Sequence, residues 1–406
     1  MKHTKQAWKI WAGACALAGI LVAGGCKDQG GATTGTTGGA PNSGGKTDAK
    51  SELLLGLYTS MTGGTASFGK STNSGVSMAI AEANASGGVL GRQIRVQLED
   101  NGGKPDQAVT AVQKLISSDN VVAVLGDVAS SNSLAAGPVC QNAKVPMLSP
   151  SSTNPKVTQV GDYIFRTCFI DPFQGTVCAR FAQQNLKAKT AAVFIDSKSD
   201  YSQGLAKYFI EEFSKTGKIV STQYYSAGDN DFRAQLTNIK PKNPDVLFIP
   251  GYYTEVGAIA LQARELKMKQ PLLGGDGWDS PKLISIGKDA VQGAYFSTHY
   301  SSESNDPRVK KFVADFKKKY NGENPDALCA IAYDAANLMI AAIKKAGVAG
   351  ADEASRKKIR DALAATKDFP GVTGNITLDK ERNAIKPAVM VQVKGKEFKY
   401  VATVKP

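Results

Sequence analysis

From Glu52 onward the sequence repeats one unit, a short apolar run of strand length followed by an amphipathic stretch of helical period. "ELLLGLY" (Glu52–Tyr58), "RQIRVQLE", "VVAVLG" and "VPMLS" read as strands. Between them one helix shows Val76, Ala79, Ile80 and Ala83 on a single face, and two more cover Pro105–Ser118 and Asn132–Ala143. After "YIFRT" the alternation starts again with "TAAVFID", "KIVSTQYY", "DVLFIPG" and "PLLGG". Val256, Ile259, Ala260, Ala263 and Leu266 stay in register along a helix over Thr254–Met268. Near-continuous apolar strands joined through helices build parallel sheets covered on both faces. Two such series predict an α/β protein of two doubly wound parallel-sheet lobes. Two strong helices follow, one carrying Val309, Phe312, Val313, Phe316 and Tyr320, the other over Asp326–Ala346, and the chain closes on the strands "AVMVQV" and "FKYVATV". This body holds about 355 of the 406 residues, long for one core and ample for two.

Ligands of open parallel sheets bind beyond the carboxyl ends of the strands, and the residues with chemistry to offer gather there. Asp127–Ser131 follow "VVAVLG", Ser149–Thr153 follow "VPML", Asp196–Tyr201 follow "AAVFI", Gly251–Tyr253 follow "DVLFIP" and Gly274–Trp278 follow "PLL". Two groups come from the first lobe and three from the second, so they are expected to face one another across a cleft. "MLSPSSTNP" (Met147–Pro155) is the richest in hydroxyls. A helix N-cap with Pro155 in the first turn accounts for one or two of them. The surplus, set beside free backbone N–H groups, suits a small anion. Asp276 either caps the helix at Ser280 or meets an amine, and Trp278 either packs a loop or walls a pocket.

Ahead of this body, Lys2, Lys5 and Lys9 flank an apolar stretch, Ile10–Ala23, shorter than the ~20 residues of a membrane span and suited to a signal-peptide core. It ends in "LVAGGC", and residues 27–50 are Gly, Thr, Ser and Ala with few apolar groups, the composition of a flexible tether. The mature chain is therefore expected outside the cytoplasm. Beyond Cys26 lie Cys140, Cys168, Cys178 and Cys329, with no C-x-x-C spacing; one disulfide and four buried thiols both fit an oxidising compartment. With His299 the sole histidine past the signal, no metal site is expected. The formal net charge of +13 is dispersed, which reads as solvation and not as a nucleic-acid surface.

One motif argues for an enzyme. "GTASFGKS" (Gly64–Ser71) fits the phosphate-loop pattern G-x-x-x-x-G-K-[ST] in full, and Asp196 at the end of "TAAVFID" resembles a magnesium-binding carboxylate. Against it, "TSMTG" separates the motif from its strand, the export signal places it where nucleoside triphosphate is scarce, and Asp196 belongs to the second series. A glycine-bearing loop with Ser71 or Thr72 capping a helix is the simpler account. A Ser–His–Asp hydrolase lacks its G-x-S-x-G elbow, and G-x-G-x-x-G is absent, so neither catalysis nor a nucleotide cofactor is expected.

The blocks "TGGTASFGKSTNSGVSMAIAEANASGGVLGRQI", "VLGDVASSNSLA", "VPMLSPSSTNP", "DYIFRTCFIDPFQG", "DSKSDYSQGLA", "PGYYTEVGAIALQAREL" and "GGDGWDS" carry a resemblance. Over nearly all of Glu52–Pro406 the chain resembles the leucine/isoleucine/valine-binding proteins of bacterial ABC importers, which have a type I periplasmic-binding fold. "LVAGGC" is similar to a lipoprotein cleavage box, with Cys26 as the lipidated residue. The resemblance implies a branched-chain or other aliphatic amino acid as ligand, an inner-membrane permease as partner, no cofactor, and a monomer lipid-anchored on the periplasmic or cell-surface side. By matching positions, Ser130 donates its hydroxyl and N–H to the ligand carboxylate, Ser151 offers its carbonyl to the ammonium, and Thr153 bonds both. Tyr201 and Tyr252 cover the ligand from the second lobe, and Phe68 lines the side-chain pocket where a tyrosine is common. Asp276 pairs with the ammonium where leucine-type members carry Glu. The same likeness implies a signal peptide over 1–26, a linker over 27–50, a first lobe of 51–170 with 299–373, and a second of 171–298 with 374–406. The chain would cross between them near Ile170, His299 and Thr373, a hinge of three strands. The alternative is a sensory receptor of the same fold for an amide, urea or small amine; the acid at Asp276 favours an amine-bearing ligand.

Overall fold

In the computed structural model β1 (Leu53–Thr59) is apolar or small along most of its length, and Leu53, Leu55 and Leu57 lose all contact with solvent. The structure describes residues 52–406; the signal, Cys26 and the linker lie outside the described residues. β1 is flanked by β2 (Ile94–Asp100) and β3 (Ala123–Leu125), and β4 (Met147–Ser149) and β5 (Ile164–Arg166) extend the sheet in the order β2-β1-β3-β4-β5, every pair parallel. The crossovers are α1 (Ala66–Ala85), α2 (Pro105–Ser117), α3 (Ser130–Asn142) and the single turn α4 (Lys156–Gln159). Burying each leucine of β1 is worth roughly 1.5–3 kcal/mol, so this strand fixes the sheet's register.

After α5 (Asp171–Gln184) come β6 (Thr190–Asp196), α6 (Asp200–Phe213), β7 (Lys218–Tyr225), α7 (Arg233–Ile239), β8 (Val246–Phe248), α8 (Tyr253–Glu265), β9 (Leu272–Gly274), α9 (Pro281–Gly287) and β10 (Tyr295–Thr298). The chain then returns to the first lobe as α10 (Pro307–Lys319), α11 (Ala327–Ala346) and α12 (Glu353–Ala364), and forms a small antiparallel sheet of β11 (Phe369–Gly371), β12 (Gly374–Leu378) and β13 (Ala384–Ile385). It ends in β14 (Ala388–Lys394), which pairs antiparallel with β10, and β15 (Glu397–Val404), which pairs antiparallel with β14. The second sheet has the order β15-β14-β10-β9-β8-β6-β7. Helices cover both sheets, and each sheet has apolar clusters on its two faces.

Three local findings bear on function. Gly69, Lys70 and Ser71 lie inside α1, so "GTASFGKS" forms no phosphate-cradling loop. Gly69 is required there by packing, because a Cβ would stand 2.1 Å from the Ser60 carbonyl oxygen. Ala327–Ala346 is long and apolar enough to cross a bilayer, yet α11 is a core helix packed on α1, with a Gly75 Cβ position only 2.1 Å from the Cys329 carbonyl oxygen. All four cysteines of the described residues are buried free thiols, which decides between the two expectations for them.

The chain passes between the sheets after β5 and again after β10. Ile376, Leu378 and Ala384 of the small sheet pack into the core of the first lobe, and the second sheet is reached only at Ala388. The third crossing is therefore at Lys386–Pro387 and not near Thr373, a correction that moves residues 374–385 to the first lobe. A short hairpin shows its apolar face in sequence but not which of two cores receives it.

Candidate functional site

The Ser149–Pro155 loop uses half of its hydroxyls to hold itself. Ser149 Oγ donates to the Asp127 carbonyl at 2.9 Å and accepts the Ser152 N–H at 3.0 Å. Ser152 Oγ lies 3.0 Å from the Asp127 and Val128 carbonyls and 2.8 Å from Ser133 Oγ. The helix that follows, α4, has no side-chain cap at its N-cap position, Pro155. Ser151 and Thr153 are left over: both are buried, and neither hydroxyl has a partner among the described residues. A buried hydroxyl without a hydrogen bond is costly, so two of them on one loop beyond a strand end mark a place for a polar guest. Ser130, the first residue of α3, faces the same loop, its Oγ accepting the Asn154 N–H at 3.2 Å.

From the second lobe, Tyr201 in α6 and Tyr252 before α8 stack with centroids 5.3 Å apart and planes 5° from parallel. Tyr201 Oη accepts the Gly277 N–H at 3.0 Å. Phe68 of α1 meets Tyr252 edge-on at 5.4 Å and Tyr253 at 4.9 Å, so an aromatic wall continues across the lobes. Trp278 is not part of that wall. It is fully buried in the second lobe's core, with Nε1 donating to the Ile249 carbonyl at 2.9 Å.

Asp276 closes the floor. It does not cap α9, where Ser280 serves. One of its oxygens accepts from Gln174 Nε2 at 2.8 Å, and the other lies 3.0 Å from His299 Nε2. Burial lowers the affinity of His299 for a proton and Asp276 opposes this, so the neutral ring is favoured, donating from Nε2 with Nδ1 unpartnered. Beside it stands Asp171, fully buried, whose carboxyl burial pushes up to about 8. The nearby Thr153 hydroxyl and Arg166 oppose the rise and Asp276 adds to it, although neither Asp171 oxygen meets full hydrogen-bond geometry. Asp276 also raises Tyr201. Thr153, Asp171, Asp276 and Tyr201 therefore form one connected neighbourhood, with Ser130 tied to it through Asn154.

The lobes meet around this neighbourhood. Ser131 Oγ donates to Asp200 Oδ2 at 2.8 Å and accepts the Asp200 N–H at 3.0 Å, and Asn154 Nδ2 donates to the Asp200 carbonyl at 2.8 Å. The Ser67 N–H donates to Tyr253 Oη at 3.1 Å, and Ser67 Oγ lies 2.8 Å from Ser280 Oγ. At the mouth a cavity of about 410 Å³ opens between Lys104 and Ser131 on one side and Lys198, Tyr252 and Glu255 on the other.

Two lobes of parallel sheet, a three-strand hinge and a cleft lined from both sides are the frame of a known architecture, and residues 52–397 match the profile of a family described as periplasmic binding protein. The chain belongs to the periplasmic binding protein family. Among relatives of this binding protein, the Leu/Ile/Val-binding protein BraC3 of Rhizobium johnstonii is 32% identical over 331 residues, covering 81% of this chain and 88% of its own. The leucine binding protein LivK of Thermotoga maritima is 39% identical with a TM-score of 0.83, over 87% of this chain and 99% of that one. LivJ of Streptococcus pneumoniae, a branched-chain amino acid transporter substrate binding protein solved with isoleucine, is 34% identical with a TM-score of 0.82, over 87% and 100% of the two chains.

Sequence reading of this binding protein missed four residues of the neighbourhood: Arg166, Asp171, Gln174 and the role of His299. Gln174 meets Asp276 across 102 residues of sequence. The one available signal was that each falls within a few residues of a lobe crossing, where polar side chains have no sheet face to point away from.

Proposed function

We propose that this protein is the extracytoplasmic receptor of an ABC importer and that it captures an aliphatic α-amino acid between its lobes. The observation that carries this reading is the pair of buried hydroxyls on one loop, Ser151 and Thr153, left without partners among the described residues, with Asp276 and Tyr201 in the same neighbourhood as Thr153. In the proposed complex the carboxylate takes the hydroxyl and N–H of Ser130 and Thr153. The ammonium takes the Ser151 carbonyl, the Thr153 hydroxyl and Asp276, and Phe68 with the two tyrosines covers the side chain. Charge-assisted hydrogen bonds in a dry cleft are strong, and a zwitterion buried without them would not stay. The names of the relatives, leucine, isoleucine and valine binders, support the aliphatic choice. The closed pair of lobes is then the form offered to the permease. Cys26 carries the lipid in this proposal; its Cys26→Ser variant is expected in the soluble fraction, and a variant still in the membrane fraction would refute the anchor.

A thermal-shift screen against amino acids, amides and small amines tests the ligand class. A rise is expected with leucine, isoleucine or valine, and its loss in Thr153→Ala and in Asp276→Ala. Full affinity in both variants would refute the site, and a rise with urea or amides alone would refute the amino acid.

A further inference from the structure

Arg166 ends β5 directly beneath the Ser149–Pro155 loop and is fully buried. All its hydrogen-bond acceptors are uncharged. Nη1 donates to the Ser152 carbonyl at 2.6 Å, and Nη2 lies 3.3 Å from both the Pro155 carbonyl and the Thr158 hydroxyl. Nε has no partner. A guanidinium keeps its proton under almost any condition, and a buried cation without a counter-ion is among the most expensive arrangements a fold can hold. The acids acting on it are the buried Cys168 thiol, Asp171, which burial keeps largely protonated at neutral pH, and Asp379, and neither aspartate is hydrogen-bonded to the guanidinium. What the loop gains from so costly a neighbour is shown by the bond it makes. The Ser152 carbonyl belongs to the same peptide unit as the Thr153 N–H, and that N–H makes no hydrogen bond to the described residues. A cation on the oxygen of a peptide withdraws charge from its N–H and makes it a stronger donor. Cys168 Sγ, 3.4 Å from the same oxygen, adds a second donor.

We propose that Arg166 is a positioning residue for the ligand's carboxylate. Its charge, passed through the 152–153 peptide, fixes and strengthens the Thr153 N–H, and the carboxylate is the anion that completes the buried cation's surroundings without touching it. This rests on the reading above that an α-carboxylate sits at Ser130 and Thr153.

The test compares leucine with leucinamide, which keeps the ammonium and side chain but lacks the negative charge. Both are titrated calorimetrically into the full chain, its Arg166→Met variant and its Arg166→Lys variant. The wild type is expected to prefer leucine. Arg166→Met should lose leucine affinity by about 10- to 100-fold, the range for a charged hydrogen bond, with little change for leucinamide, so the preference collapses. Arg166→Lys, with a charge but no fork, should recover part of it. Equal losses for the two ligands, or a preference that survives, would overturn the proposal, since a residue that merely props the loop affects both alike. Should Arg166→Met not fold, the Arg166→Lys preference and the Thr153 amide nitrogen shift on adding leucine decide the matter. An unchanged preference and an unmoved shift overturn the proposal. A wild type that binds no α-amino acid refutes the underlying reading instead.

Discussion

Thr153 and Asp276 carry different parts of the proposed grip, and their variants should differ in kind. Thr153→Ala removes a hydroxyl but leaves the backbone N–H, so an affinity loss of about 10-fold is expected, the scale of one hydrogen bond. Asp276→Ala removes a charge partner, strands His299 Nε2 and leaves Gln174 Nε2 only its bond to Ser297 Oγ, so the loss should be nearer 100-fold or more. Calorimetry on the two variants checks the order, and an Asp276→Ala loss no larger than that of Thr153→Ala would place the ammonium elsewhere. The two residues also differ in how far the sequence revealed them. Five hydroxyl-bearing or proline positions after an apolar strand stand out against any background, and the structure leaves just two of those hydroxyls without partners. Gln174 and Arg166 sit in ordinary helix and strand contexts. What makes them part of the site is burial beside residues far away in sequence, and no local pattern encodes that.

At the level of elements, most strands and helices are readable because short apolar runs and the 3.6 period survive in this chain, and the differences fall at ends and at junctions. α3 begins at Ser130, two residues before its expected start, because its first turn carries serines in place of apolar residues. The sequence places β12 and β13 in the second lobe, whereas they pack into the first. One junction has a titration of its own. Asp279, after β9, accepts from Thr298 Oγ1, while Asp326, the N-cap of α11, accepts the Cys329 N–H at 2.8 Å and the Ser71 hydroxyl. Burial pushes Asp279 up to about 8, Asp326 adds to that, and the Thr298 hydroxyl and the Ala327 N–H oppose it; burial raises Asp326 too. An unfolded aspartate titrates near 3.9. From about pH 4 to 8 the folded protein therefore holds more protons at this junction than the unfolded chain, so stability falls as pH rises through that window and is level above it. Asp279→Asn should flatten this slope. Denaturant unfolding at pH 5 and pH 8 is expected to show the wild type losing at least about 1.4 kcal/mol more than the variant, the worth of one pKa unit. Equal losses would mean that Asp279 does not hold its proton through this window.

For the whole molecule, the question is what ligand binding must supply. Closing two lobes around a hinge gains the contacts seen at the cleft mouth, chiefly the reciprocal Ser131–Asp200 pair and the Ser67–Ser280 and Ser67–Tyr253 contacts. If these sufficed, the empty protein would stay shut and ligand could not enter. If they were absent, the ligand would have to provide the whole free energy of closure, and apparent affinity would fall by the fraction of time the lobes spend closed. Ser131 is adjacent to the proposed ligand residue Ser130 but points at the other lobe, so it reports on closure alone. Ser131→Ala removes the hydroxyl that both gives to and takes from Asp200. A net contribution of about 0.5–1.5 kcal/mol for each of the two hydrogen bonds predicts a loss of leucine affinity of about 5- to 150-fold, carried by faster release. The shrinkage in radius of gyration at saturating ligand should be unchanged, because ligand in excess still drives closure. Small-angle scattering with a ligand titration separates the outcomes. The same final compactness reached at higher ligand concentration supports a clasp that tunes closure. A saturated state as extended as the empty one would instead mean that Ser131 shapes the site, and unchanged affinity would mean that the clasp carries no weight in binding.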